Sequence, residues 1–159
     1  CIVDPFLPCD DPDEATRTND EWSDSSQFND NHSVGCLTGD TLTTLTRSRS
    51  SLLCPAEPAD WYELTLVGCD TRNMYAEVRL HPETECDAAD WDLQLMGEGA
   101  DPCHNMPASG DTVTCTMDGS DRVIRVEILP NRVVFSYHFG VLAVAPHLKL
   151  NYTLSVSLH

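Results

Sequence analysis

The residues of this chain that can do chemistry are mostly carboxylates and cysteines. The run CDDPDE at 9–14 sets Asp10, Asp11, Asp13 and Glu14 within six positions. Calcium takes about six to eight oxygen ligands with loose geometric demands, so such a loop is a candidate calcium site. A plainly solvated acidic segment is the alternative reading. MDGSD at 117–121 resembles a turn with two carboxylates, and neither run follows the spacing of an EF-hand. Asp90 and Asp92 flank Trp91 on a strand-like run and so share a face. That is either a carboxylate pair for acid–base work or a hydrated, cation-ligating polar face.

Catalytic motifs do not stand out. The sequence has no G-x-S-x-G elbow, no H-E-x-x-H, no S-x-x-K and no phosphate-cradling glycine loop. The six histidines, His32, His81, His104, His138, His147 and His159, lack ligand spacing and read as surface or strand residues. A non-catalytic chain is the expectation.

The eight cysteines are Cys1, Cys9, Cys36, Cys54, Cys69, Cys86, Cys103 and Cys115. Their even number, wide spacing and lack of a C-x-x-C pair predict disulfides in an oxidising compartment, hence a secreted or cell-surface protein, rather than zinc or redox chemistry. Spacing does not fix connectivity. Neighbour pairing (Cys1–Cys9, Cys36–Cys54, Cys69–Cys86, Cys103–Cys115) is the arrangement with the shortest loops. The chain opens on Cys rather than Met, which reads as a processed product with a signal peptide removed. Cys1 is then either a lipidated N-terminus or a processing boundary.

Charge narrows the partners. In 159 residues, 26 acids face 9 bases for a formal net charge of −17 and a pI near 4.3. Lys149 is the single lysine and the arginines are scattered, so nucleic acid and anionic membrane are excluded as partners. No apolar run approaches the roughly 18 residues of a membrane span. Two glycosylation sequons occur, at Asn31 in a polar stretch and at Asn151 inside a strand-like run, where only an outward side chain is usable.

The elements that would position these residues are strands. Residues 1–40 form an acidic N-terminal arm, with Asp4, Asp10, Asp11, Asp13, Glu14, Asp20, Glu21, Asp24, Asp30 and Asp40 against Arg17 alone. Within it, 19–35 shows neither helical nor strand periodicity and reads as a long solvated loop packed on the same domain. Residues 41–159 carry period-two runs at 61–67, 74–81, 91–96, 112–117, 122–129, 132–139 and 148–158. In the last, Leu148, Leu150, Tyr152, Leu154, Val156 and Leu158 share one face. The apolar stretch 140–148 is either a further strand or a patch that another chain covers. With no window of helical period, the expectation is an all-β, antiparallel β-sandwich or jelly roll, stabilised by disulfides.

Four segments in order resemble the bacterial pre-peptidase C-terminal domain. DPFLPCDD (4–11) matches its opening acidic motif through Asp4, Phe6, Pro8, Asp10 and Asp11, with Ala15 following. Leu7 and Cys9 stand where that family has Glu and Asn. LLCPAEPADWYELTL (52–66) matches through Cys54, Pro55, Asp60, Trp61 and Tyr62; DAADWDLQL (87–95) through Asp90, Asp92 and Leu93; and YTLSV (152–156) closes the series. The resemblance implies a non-catalytic β-sandwich used for targeting, adhesion or substrate binding, in some members with calcium on the acidic segment. The expected function is a secreted or cell-surface binding module whose ligand is a protein or glycan surface, with Trp22, Trp61 and Tyr75 as candidate contact aromatics. The alternative is a self-assembling subunit of an extracellular filament or surface layer, pairing with copies of itself through an edge-prone final strand.

Overall fold

The computed structural model describes residues 2–3, 26–28, 34–43, 46–55, 57, 59–84, 87, 89–95, 112–131, 134–145 and 147–159. All regular structure among them is strand. In chain order these are β1 (Ile2–Val3), β2 (Ser26–Gln27), β3 (Val34–Thr38), β4 (Thr41–Leu42), β5 (Thr46–Leu53), β6 (Ala59–Val67), β7 (Met74–Pro82), β8 (Trp91–Leu95), β9 (Thr112–Asp118), β10 (Asp121–Ile128), β11 (Val134–Ala143) and β12 (Leu148–Leu158).

Two sheets form. One runs β1-β12-β7-β10-β9, with β5 also paired to β12; the other runs β4-β3-β6-β11-β8, with β2 also paired to β6. Their inward positions are the period-two sets of the sequence. Met74, Ala76, Val78 and Leu80 of β7 and the six alternating residues of β12 are buried from the first sheet. Tyr62, Leu64 and Leu66 of β6 and Trp91, Leu93 and Leu95 of β8 are buried from the second. Each buried Val, Leu or Met among them contributes about 1.5–3 kcal/mol of transfer free energy, so one continuous apolar layer between the sheets holds the sandwich-like fold.

The structure corrects several expectations. The pairing is not wholly antiparallel, because β2 and β3 run parallel to β6 over two positions each. The stretch 19–35 is therefore not all solvated loop, since Phe28 and Val34 are buried against the core. β6 supplies the hydrogen-bonding edge there, so the pairing needs no periodicity of its own. The stretch 140–148 is no separate patch: Gly140–Ala143 completes β11, with Val141 fully buried. Most consequential, β12 is not an edge strand. It pairs with β5 over Leu150–Ser157 on one side and with β7 over Tyr152–Leu158 on the other.

Where β3 meets β6 the backbones nearly touch. Gly35 has φ +118°, and a Cβ there would lie 2.4 Å from the Val67 carbonyl oxygen. Only glycine fits such a position. The next residue, Cys36, is disulfide-bonded to Cys69 with a Cα–Cα distance of 4.9 Å. The pairings Cys36–Cys54 and Cys69–Cys86 are thereby overturned: two distant segments meet because β3 adds to β6, and sequence proximity does not decide the partner.

Candidate functional site

The expected calcium ligands Asp10, Asp11, Asp13 and Glu14 lie outside the described residues, as do Asn31, Trp22, Cys1, Cys9, Cys86 and Cys103. Cys54 and Cys115 are disulfide-bonded. Among the described residues, no group of three or more His, Cys, Asp and Glu side chains could hold a metal ion, and no helix is long and apolar enough to cross a membrane.

The MDGSD turn is committed to ion pairs. Gly119, with φ +64°, opens the two-residue β9–β10 hairpin loop, the position where a type II′ turn takes glycine. This brings Asp118 and Asp121 to Arg79 of β7, which donates to them at 2.8 and 2.9 Å. Those two carboxylates raise the Arg79 guanidinium above its ordinary value, Asp121 most. His81 Nδ1 lies 2.6 Å from the other Asp121 oxygen. Partial burial pushes the Asp121 carboxyl up, but the hydrogen bonds from His81 and Arg79 outweigh it and hold the group below the usual carboxylate range. These carboxylates therefore serve the hairpin.

Asp90 and Asp92 also have structural work. The Asp90 carbonyl accepts the Val144 and Ala145 amides, both at 2.8 Å, and so fastens the end of β11. Asp92 lies 3.2 Å from Arg122 of β10, whose guanidinium sits 5.1 Å from the centroid of the buried Trp91 ring. Together they tie the edge of one sheet to the other beside a cleft of about 170 Å³ that Leu93, Thr116 and Met117 help to line.

The D-W-Y residues face two ways. Trp61 is half-buried and lies across Gly140, where a Cβ would come within 2.8 Å of its ring. Asp60 and Tyr62 point into the sandwich instead. Tyr152 donates to Asp60 Oδ2 at 2.6 Å, and its oxygen lies 2.5 Å from that of Tyr62. Burial, then the neighbouring Tyr62 and Asp60, push the Tyr152 phenol well above its ordinary value. Arg49 of β5 closes this end, 5.4 Å from the Tyr62 ring centroid.

Of the two candidate aromatics among the described residues, Trp61 and Tyr75, it is Tyr75 that belongs to an outward arrangement with polar groups beside it. It lies on the solvent face of the first sheet in a shallow depression of about 230 Å³, lined also by Thr114, Arg125 and Glu127. In the strand register Tyr75 stands opposite Glu127, while Arg125 stands opposite Glu77 on one side and Thr114 on the other. The Arg125 guanidinium stacks 4.2 Å from the Tyr75 centroid. Glu127 Oε1 accepts from the Tyr75 hydroxyl at 3.0 Å and from Asn73 Nδ2 at 2.5 Å. Sequence reasoning named Tyr75 and missed Asn73, Thr114, Arg125 and Glu127. Alternation in RVIRVEIL does put Arg125 and Glu127 on one face, but the register that carries them to Tyr75 is not a local property.

Beside Tyr75 there is thus a stacked guanidinium, a carboxylate held by two donors and a threonine hydroxyl. Such a surface can hold a ligand by stacking and hydrogen bonding. Comparisons of the chain with protein-family models, curated proteins and solved structures find no match.

Proposed function

We propose that this chain is a non-catalytic binding module of the extracellular space or cell surface, which contacts a glycan or protein ligand through the outward face around Tyr75. The observation that carries the reading is the pre-ordered set at that site. Arg125 is stacked on Tyr75 and Glu127 is held by two donors, so little side-chain entropy remains to be lost on binding. The Cys36–Cys69 disulfide is compatible with an oxidising, secreted setting. The resemblance to the pre-peptidase C-terminal domain supports the same kind of appended module. Calcium stabilisation through Asp10, Asp11, Asp13 and Glu14 belongs to the proposal as well, and thermal midpoints in calcium and in EDTA test it. The filament alternative loses the free final strand on which it relied, because β5 and β7 flank β12.

The test is retention of the chain on immobilised polysaccharides and extracellular proteins, beside Tyr75→Ala. Saturable binding weakened by the substitution, with the retained ligand chemically intact, is the expected result. Binding to none of the panel overturns the reading, and release of cleaved ligand overturns its non-catalytic part.

A further inference from the structure

Resting on the binding-module reading, we infer that the Tyr75 depression takes a neutral, polyhydroxylated sugar, with Arg125 donating to one ring substituent and Glu127 accepting from a neighbouring one. The first reason is what each group leaves open. Arg125 has two carboxylates close by in the sheet, Glu77 directly across the β7–β10 ladder and Glu127 two residues along its own strand. Both are engaged elsewhere, Glu77 with Arg79 at 3.4 Å and Glu127 Oε1 with Asn73 and Tyr75. Among the described residues, Arg125 makes no ion pair, and its one partner is the ring beneath it. In a chain with 26 acids and 9 bases, a guanidinium without a carboxylate is conspicuous. Stacking covers one of its faces and leaves the rim of N–H donors directed outward.

The second reason is the acceptor beside it. Both bonds to Glu127 end on Oε1, and Oε2 accepts none among the described residues. The depression therefore offers donors and an acceptor two residues apart on one strand face, a backbone separation of about 7 Å. Thr114, across the ladder from Arg125, adds a hydroxyl that works in either sense.

Charge selects among the ligands that such a pair can hold. A metal cation would sit against Arg125. An anion would meet the open oxygen of Glu127, the nearby Glu77 and the field of a −17 chain. A sugar hydroxyl both donates and accepts and carries no charge, so it satisfies Arg125 and Glu127 together.

The test is titration of the 15N-labelled full chain with neutral tetrasaccharides of glucose, mannose, galactose and N-acetylglucosamine, and with tetragalacturonate. The expected result is that a neutral sugar shifts the Arg125 Nε–H and Tyr75 amide signals. Arg125→Ala and Glu127→Gln should then each raise the dissociation constant about tenfold, the loss of one charge-assisted hydrogen bond. Arg125→Lys, which keeps the charge without the planar fork, should also weaken binding, and unchanged amide shifts elsewhere establish that each variant is folded. Preference for tetragalacturonate, or neutral-sugar binding on another face that the variants leave unaltered, overturns this inference while the binding-module reading stands. If no saccharide shifts any signal, the inference falls; the binding-module reading falls with it only if the chain also fails to bind the immobilised panel.

Discussion

Tyr152 donates its phenolic proton to Asp60 across the interior of the sandwich, at 2.6 Å, and so joins the central strand β12 of one sheet to β6 of the other. Both residues are completely buried. An acidic side chain in that position is stable only with donors supplied, and the phenol also meets Tyr62, so three polar groups share one interior site. Tyr152→Phe removes the shared oxygen while keeping the ring. It should destabilise the fold by about 1–3 kcal/mol, the cost of leaving a buried acceptor short of a donor. Tyr62→Phe removes the peripheral hydroxyl and should cost less, about 0.5–1.5 kcal/mol. Urea unfolding midpoints check both, and a Tyr152→Phe midpoint equal to that of the parent would show that the bond contributes nothing.

The same burial has an alkaline consequence. The Tyr152 phenol is held well above its ordinary value in the fold and returns to about 10 on unfolding. A folded value above the unfolded one means that its contribution is fully present below about pH 10. It declines as pH rises from there toward the folded value. Stability should fall more steeply above pH 10 in the parent than in Tyr152→Phe, measured by denaturation at stepped pH. Parallel slopes would disprove the coupling.

Gly35→Ala tests the contact between β3 and β6. The added Cβ would lie 2.4 Å from a backbone oxygen, which cannot swing aside as a side-chain tip can. The φ of +118° is itself unfavourable for alanine. Displacing β3 would also disturb Cys36, so a loss of about 2–3 kcal/mol in thermal or denaturant stability is expected. Gly119→Ala, with an open surround at φ +64°, should cost less, about 1 kcal/mol.

How much of this was legible depended on where each strand's inward residues lay. β12 was readable because six apolar residues alternate without interruption. β5 was not: its inward positions opposite Val156 and Leu154 are Arg47 and Arg49, and only Ser51 and Leu53 are buried. It is a strand because β12 offers it a ladder eight residues long. β2 and β3 depend similarly on β6, with two residues of pairing each. For the site, Tyr75 was visible as an aromatic out of phase with the apolar set Met74, Ala76, Val78 and Leu80. The arginine and glutamate that complete it come from β10 through a register set by the hairpins and the core. Alternation through Tyr62, Leu64 and Leu66 does put Asp60 on the inward face, but its donor comes from Tyr152 of β12, a partner that nothing local reveals.

The disulfide that overturned neighbour pairing makes a separate prediction. Cys36 and Cys69 are 33 positions apart, and closing a loop of that length removes enough unfolded-chain entropy to stabilise the fold by about 3–4 kcal/mol. The double substitution Cys36→Ala with Cys69→Ala should lose about that much. Peptide mapping of the non-reduced chain should show the 36–69 linkage directly. A map carrying 36–54 or 69–86 instead would contradict the β3–β6 pairing as well as the bond.

Acid stability should respond to Asp121. Its carboxyl is held below the usual carboxylate range by His81 and Arg79, against the opposing effect of burial. A depressed folded value stabilises the protein at pH values above the unfolded one. That contribution is lost as pH falls from about 4 through the folded value. Of the two partners, Arg79 carries its charge at every pH in that range. Asp121→Asn should therefore lower stability at pH 6 by about 0.2–1 kcal/mol, the range for a solvent-screened pair, and by progressively less below pH 4. Asp40, also held low by its bonds to Thr71, adds to the acid slope of the parent and remains in the variant. Thermal midpoints of parent and Asp121→Asn that stay equally separated from pH 6 to pH 2 would assign the loss to packing rather than to charge.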